Sequence, residues 1–309
     1  MNPIITERIN DFLNHCDENG ISNSRKVYER QHIIRRIAST DQSKSFEDGA
    51  DAHHSGLVME DGKLIGFGIH IFNEDIYPLQ SFEIYLRGCD LTGMLDLSDC
   101  EDLLFVDLYH NRISGVELRN LPKLRILGLQ DNRLMELYPD ELPSCQGIDV
   151  GKNCLSKLDV SRNPELVELY VNDNRLTRID LSSNPKLKYF YCHNNAITEL
   201  DTRANPLLRH LNATGNPMKS IRSLAPHRNE LLPLELYAGE GGRVGLKFNP
   251  VYNAQWKETG EWQQSYYAYP NEGWHFKGWF DRFGVCLSED DVWIDTYGES
   301  RLLTAVFEH

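Results

Sequence analysis

The chain has 309 residues, 40% of them hydrophobic and 25% charged, and its 32 Lys and Arg against 46 Asp and Glu give a formal net charge of −14. Those proportions belong to a globular protein of two or three domains and exclude a disordered chain, a collagen or a polytopic membrane protein. An average field of that sign repels a phosphate backbone, so nucleic acid is not an expected partner.

No apolar run approaches the roughly 18 residues that a membrane-spanning helix needs. The opening residues, Met1-Asn2-Pro3-Ile4-Ile5-Thr6-Glu7-Arg8, show no basic stretch leading into an apolar one, and Asp11, Asp17 and Glu18 interrupt the place where it would continue. Seven cysteines, an odd number without a CxxC pair, read as free thiols of a reducing compartment. The expected location is therefore cytoplasmic. A secreted or cell-surface protein is the alternative, if the native N-terminus is longer or export takes a non-Sec route.

In chain order, Ile5, Ile9, Phe12, Leu13 and Cys16 fall on one face of a helix, with Asn2-Pro3 as its start signal and Gly20 as its stop. A second helix is expected over Arg25 to Ala38, with Val27, Ile34 and Ile37 inward. It carries Arg25, Lys26, Arg30, Arg35 and Arg36 against Glu29. That run suits an acidic partner or membrane phosphates, but a solvated face, or one paired with the chain's own acids, is the plainer reading. Gly56 to Phe72 reads as a hairpin turning at Glu60-Asp61-Gly62-Lys63. Residues 1–80 together read as an α/β cap over the open strand edge of the segment beyond residue 80.

A repeat occupies the middle of the chain. The frame L-x-x-L-x-L-x-x-N fits Leu103-x-x-Val106-x-Leu108-x-x-Asn111 and Leu124-x-x-Leu127-x-Leu129-x-x-Asn132. It recurs in four further copies ending at Asn153, Asn174, Asn195 and Asn216, each asparagine 21 residues after the last. Pro122, Pro143, Pro164, Pro185 and Pro206 keep the same period. Ile84-x-Leu86-x-x-Cys89 is a divergent first copy. Residues 81–224 thus resemble a leucine-rich-repeat solenoid of about seven turns.

Each x-L-x-L-x stretch makes a short strand whose leucines point into the solenoid, and only stacking buries them continuously. Where the strand ends and the chain bends, a buried Asn can satisfy backbone groups left out of the ladder. Asn111, Asn132, Asn153, Asn174, Asn195 and Asn216 are therefore read as a structural ladder. Cys145 and Cys192 occupy leucine positions and are expected in the core.

The outward strand positions owe nothing to that core. They place Phe105, Asp107 and Tyr109 on one strand, Asp149 on another, and Glu168, Tyr170, Tyr189, Tyr191, His193 and His210 on three adjacent ones. Aromatics on such a concave face suit a protein or peptide partner. The bland alternative is that they merely brace neighbouring strands. Gly128, Gly147 and Gly151 would leave a flat or hollow strip between the two groups.

From residue 225 the composition shifts, and all five tryptophans fall there. Gly273-Trp274-His275-Phe276-Lys277-Gly278-Trp279, with Glu240-Gly241-Gly242-Arg243-Val244 upstream and Leu302-Leu303-Thr304-Ala305-Val306-Phe307 at the end, resembles the divergent internalin B-repeat. That resemblance implies a small, mostly-β domain of β-grasp type, and a solenoid with such a domain after it is similar to internalin-like bacterial proteins.

No HExxH, GxSxG or P-loop occurs. Gly239 to Gly245 reads as a turn, not a phosphate cradle. His53-His54 reads as part of a solvated loop, not a metal site. Resemblance to bacterial ubiquitin-ligase effectors stops at the repeats. The sequence thus predicts an α+β repeat protein, made of an α/β cap over 1–80, a solenoid over 81–224 and a mostly-β domain over 225–309. It is expected to be a non-enzymatic interaction scaffold with no cofactor and no metal. Its expected partner is a protein or peptide, and a homodimer through the concave face is also compatible. The alternative is an internalin-like surface or secreted adhesin or effector that binds a host or cell-surface protein.

Overall fold

The computed structural model describes residues 8, 11–26, 57–60, 63–67, 82–85, 88–101, 103–227, 230–252, 258–295 and 301–309. The chain divides into two compact units, Met1–Asn153 and Cys154–His309.

In the first unit, Asp11 to Asn14 and Asn23 to Lys26 are helical. The first helix stops well short of Gly20. His15 N–H already folds back on Asp11 and Phe12 C=O, and Asp17 accepts the N–H groups of Asn19 and Ile21, a local turn that competes with helix. Most of the expected second helix, and His53-His54, lie outside the described residues. The cap is tied to the first repeat by polar contacts. The buried Asn23 amide donates to Phe12 and Thr92 C=O, and its oxygen accepts Thr92 N–H. Lys26, from the basic run, pairs with Asp17 at 3.0 Å and donates to Asp90 C=O at 2.8 Å. The two backbone N–H bonds and Lys26 together hold the Asp17 carboxyl down at about 2.

The strands of this unit are β1 (Leu57–Glu60), β2 (Lys63–Phe67), β3 (Phe82–Tyr85), β4 (Thr92–Asp96), β5 (Leu103–Asp107), β6 (Arg112–Glu117), β7 (Ile126–Gly128) and β8 (Gly147–Asp149). β1 and β2 form the antiparallel hairpin. β3, β5, β7 and β8 pair in parallel as a front sheet, and β4 and β6 pair in parallel behind.

The second unit contains β9 (Glu168–Tyr170), β10 (Tyr189–Tyr191), β11 (Glu199–Asp201), β12 (His210–Asn212), β13 (Ser220–His227), β14 (Glu230–Ala238), β15 (Gly242–Tyr252), β16 (Glu258–Pro270), β17 (His275–Asp281), β18 (Cys286–Ser288), β19 (Val292–Asp295) and β20 (Arg301–Glu308). In its front sheet β9, β10 and β12 are parallel, and the order then runs on through β15, β16 and β19, all antiparallel. Behind, β11 pairs in parallel with β13, and the order continues β14, β20, β17, β18. Both sheets thus pass from the repeats into the C-terminal strands without a break. A boundary at 224/225 would cut β13 in the middle.

Leucines of the repeat frame, including Leu103, Leu108, Leu124, Leu169 and Leu187, are fully buried, and Phe190, Phe248, Tyr266 and Trp279 fill the core nearer the C-terminus. Each ladder Asn works in both directions. The Asn195 oxygen accepts Leu176 N–H at 2.9 Å while its amide donates to Val171 and Cys192 C=O at 2.8 and 3.1 Å. The residue before each ladder Asn is left-handed: His110, Asp131, Lys152, Asp173, Asn194 and Gly215 have φ between 52° and 66°. At Gly215 an added Cβ would also sit 2.2 Å from the Asn194 side-chain oxygen.

A second asparagine column lies on the far side. The Asn184 amide donates to Val160 and Asn163 C=O, and the Asn205 amide donates to Leu181 and Asn184 C=O. These residues precede Pro164, Pro185 and Pro206 at the solenoid's period, so an Asn-Pro column was the available signal.

Candidate docking face

In the first unit the outward positions are largely closed off. Phe105 and Ile126 are buried on the front sheet. The Tyr109 ring lies over Gly128, where an added Cβ would meet it at 2.5 Å, and its hydroxyl donates to Asp149 at 2.6 Å. The other Asp149 oxygen accepts Gly151 N–H, and Asp107 accepts Tyr109 N–H. The chain's own tyrosine therefore fills the strip at Gly128 that the glycines were expected to leave hollow. Absence of a side chain at one position is an opening that a longer neighbour takes.

The second unit is different. Glu168 and His210 are buried at 5% and 9% exposure, while Tyr170, Tyr189, Tyr191 and His193 are half-buried. Tyr189 stacks on His210 with ring centroids 4.4 Å apart, and Tyr170 meets Tyr191 edge-on at 5.1 Å. The Tyr170 hydroxyl donates to Glu168. These contacts hold the rings upright with one edge in water, which is the preorganisation an aromatic anchor needs.

His193 sits between charges of opposite sign, with Asp173 at 3.8 Å. Burial lowers its pKa first, Asp173 raises it and the Lys247 cation lowers it. Burial likewise lowers that of His210. Burial thus favours the neutral form of both imidazoles. Lys247→Met should raise the His193 titration midpoint, because it removes a repulsion acting only on the protonated ring. Asp173→Asn should lower it further. Imidazole proton shifts tracked by NMR against pH check both signs.

Strand register carries this face into the C-terminal strands. Asn212 lies opposite Lys247, Lys247 opposite Ser265, and Ser265 opposite Ile294. Alternation then puts Arg243, Tyr267, Tyr269 and Val292 on the same side. Val292 and Ile294 are 45% and 54% exposed. Sequence patterning does not reveal these residues as part of a face, because no period links β12 to β15.

The buried thiols are poor nucleophiles, since burial pushes Cys100 up to about 11 and Cys145 to about 12. Among the described residues no three His, Cys, Asp or Glu side chains are grouped to hold a metal ion. No helix of the described residues is long and apolar enough to cross a membrane.

Residues 164–205 match the family model for leucine-rich repeats, two copies. No curated protein matches the sequence. Among solved structures, an internalin (inlF) from Listeria monocytogenes is similar at 20% identity, with 44% of this chain and 43% of that one aligned and a TM-score of 0.35. YopM, a leucine-rich effector protein from Yersinia pestis, is 24% identical over 45% of this chain and 47% of that one, with a TM-score of 0.35. The functional domain of InlJ from Listeria monocytogenes is 16% identical over 62% and 61%, with a TM-score of 0.22. The chain thus spans less than two thirds of the length of each of them. The two matched leucine-rich repeats lie within a solenoid whose asparagines bond alike at every turn.

Proposed function

We propose that the chain is a non-enzymatic interaction scaffold that binds a protein segment on the outward front-sheet face of its second unit. The observation that carries this is the Tyr170, Tyr189, Tyr191 and His193 group: aromatic, half-open, and held in place by partners on its own face. Six strands at ~4.8 Å spacing span ~24 Å, and four outward residues on a long strand span ~20 Å, giving ~500 Å². That is below the ~800 Å² a folded partner typically covers, and it suits a peptide or protruding loop. The free thiols buried at Cys89, Cys100, Cys145 and Cys192 support action in a reducing compartment.

The test is capture from a lysate of the source organism, comparing wild type with a Tyr170→Ala, Tyr189→Ala, Tyr191→Ala variant of unchanged melting temperature. A partner held by wild type should bind the variant at least ~30-fold more weakly by calorimetry, as loss of two or more anchors of ~1–2 kcal/mol implies. Equal affinity for both would place the binding site elsewhere.

A further inference from the structure

The docking face has a charge preference of its own, opposite to that of the whole chain. Its acids are covered or occupied. Glu168 is buried and accepts the Tyr170 hydroxyl, and Asp173 at the rim accepts the side-chain amides of Asn172 and Asn194. Its cations stand in the open. Lys247 and Arg243 are both exposed on β15. The Arg243 guanidinium lies 5.7 Å from the centre of the Tyr269 ring, a contact that leaves its charge unneutralised. Lys247 makes no ion pair with any described residue. In a protein of net charge −14, two exposed cations on one face with no open acid between them are a local reversal of sign.

Their spacing adds a shape. Lys247 and Arg243 are four residues apart on one strand, ~14 Å at the rise of an extended chain. An extended segment lying along β15 repeats that distance between its own residues i and i+4. Between the two cations stands Gly245, with the Tyr269 ring packed against it, and beside it Tyr267 is stacked parallel to Tyr269 at 6.2 Å. The strip therefore reads cation, aromatic surface, cation.

We propose that this face, if it is the docking face argued above, receives an extended acidic segment of a partner protein. Carboxylates four residues apart would meet Lys247 and Arg243, and an apolar side chain between them would lie on the Tyr267 and Tyr269 rings. A segment of basic or neutral residues would leave both cations facing like charge or nothing, and a bulky folded surface would exceed the strip.

The test pans a phage-displayed library of random peptides of about twelve residues on the whole chain. The strongest peptide is then measured by fluorescence anisotropy. The expected pool is enriched in Asp and Glu, with a preference for four-residue spacing. Lys247→Glu should weaken the chosen peptide at least ~10-fold, and replacing one of its carboxylates by Lys should restore binding to that variant. A neutral or basic pool, no enrichment over bare support, or a peptide indifferent to Lys247→Glu overturns the proposal. If a peptide indifferent to Lys247→Glu is still lost by the Tyr170, Tyr189, Tyr191 variant, the docking face stands and only its charge preference falls. If that variant also binds normally, both readings fall. A wild-type dimer in light scattering that Lys247→Glu dissociates would name a second copy as the occupant, which also overturns it.

Discussion

Asn132→Leu is expected to destabilise the first unit by about 2–4 kcal/mol, although the replacement is close in volume and more apolar. The Asn132 oxygen accepts Ile113 N–H at 3.0 Å, and its amide donates to Leu108 and Leu129 C=O at 2.8 and 3.1 Å. Leucine supplies none of these bonds. At 8% exposure water does not reach the position freely, so Ile113 N–H is left without this partner in a buried site, at about 1–3 kcal/mol. Leu108 and Leu129 C=O each lose one of two donors and keep the Asn111 and Asn153 amides at 2.8 and 2.9 Å, so each adds only about 0.5–1 kcal/mol. In a unit of this size such a loss lowers the melting temperature by about 10 °C. Urea unfolding monitored by circular dichroism reads the change. Lys186→Ala provides the contrast. Its ammonium pairs with Glu165 across one turn, but both side chains are about half exposed, so its loss should cost under about 1 kcal/mol. Equal effects of the two substitutions would mean that the asparagine column is decoration.

That column was legible because it obeys a period. Asn111 to Asn216 and Pro122 to Pro206 repeat every 21 residues, and one chemical demand, backbone groups stranded at a bend, explains why the residue stays Asn. The Asn163, Asn184 and Asn205 column obeys the same period, directly before Pro164, Pro185 and Pro206. Other features leave no periodic trace. Period-two alternation says which way Phe105 or His210 points, but not what else converges there, so both were expected in the open and are buried. Tyr109 reaches across β7 to Asp149 on β8 because Gly128 lets its ring pass, a matter of side-chain direction that no spacing records. The pairing of Leu211 with Phe248 joins a repeat to residues with no frame in common with it. A composition shift near residue 225 was visible, and it suggested a separate domain where the sheets run on.

Deleting residues 218–309 should therefore unfold the repeats of the second unit and not merely shorten the molecule. The deletion strips both sheets at once. β12 loses β15, so Ala213 N–H no longer reaches Leu246 C=O, and β11 loses β13, so Thr202 N–H no longer reaches Arg222 C=O. Leu200 and Leu211, at 2% and 1% exposure, come to the surface with Ala213. Two leucines uncovered cost about 3–6 kcal/mol before the lost hydrogen bonds are added, against a total stability of about 5–15 kcal/mol for a domain. A solenoid turn contacts only its neighbours, so damage at the end passes from turn to turn instead of being absorbed by a central core. Hydrogen exchange gives the readout. The amides of Val171, Cys192 and Ala213, bonded in the full chain to Tyr191, Asn212 and Leu246 C=O, should lose most of their protection in the truncated one. The newly bared edge of β12 should also make it prone to self-association. A detachable module would behave otherwise, leaving Val171 and Cys192 exchanging as slowly as before. That outcome would restore a domain boundary near residue 225 and reduce the β12–β15 pairing to incidental contact.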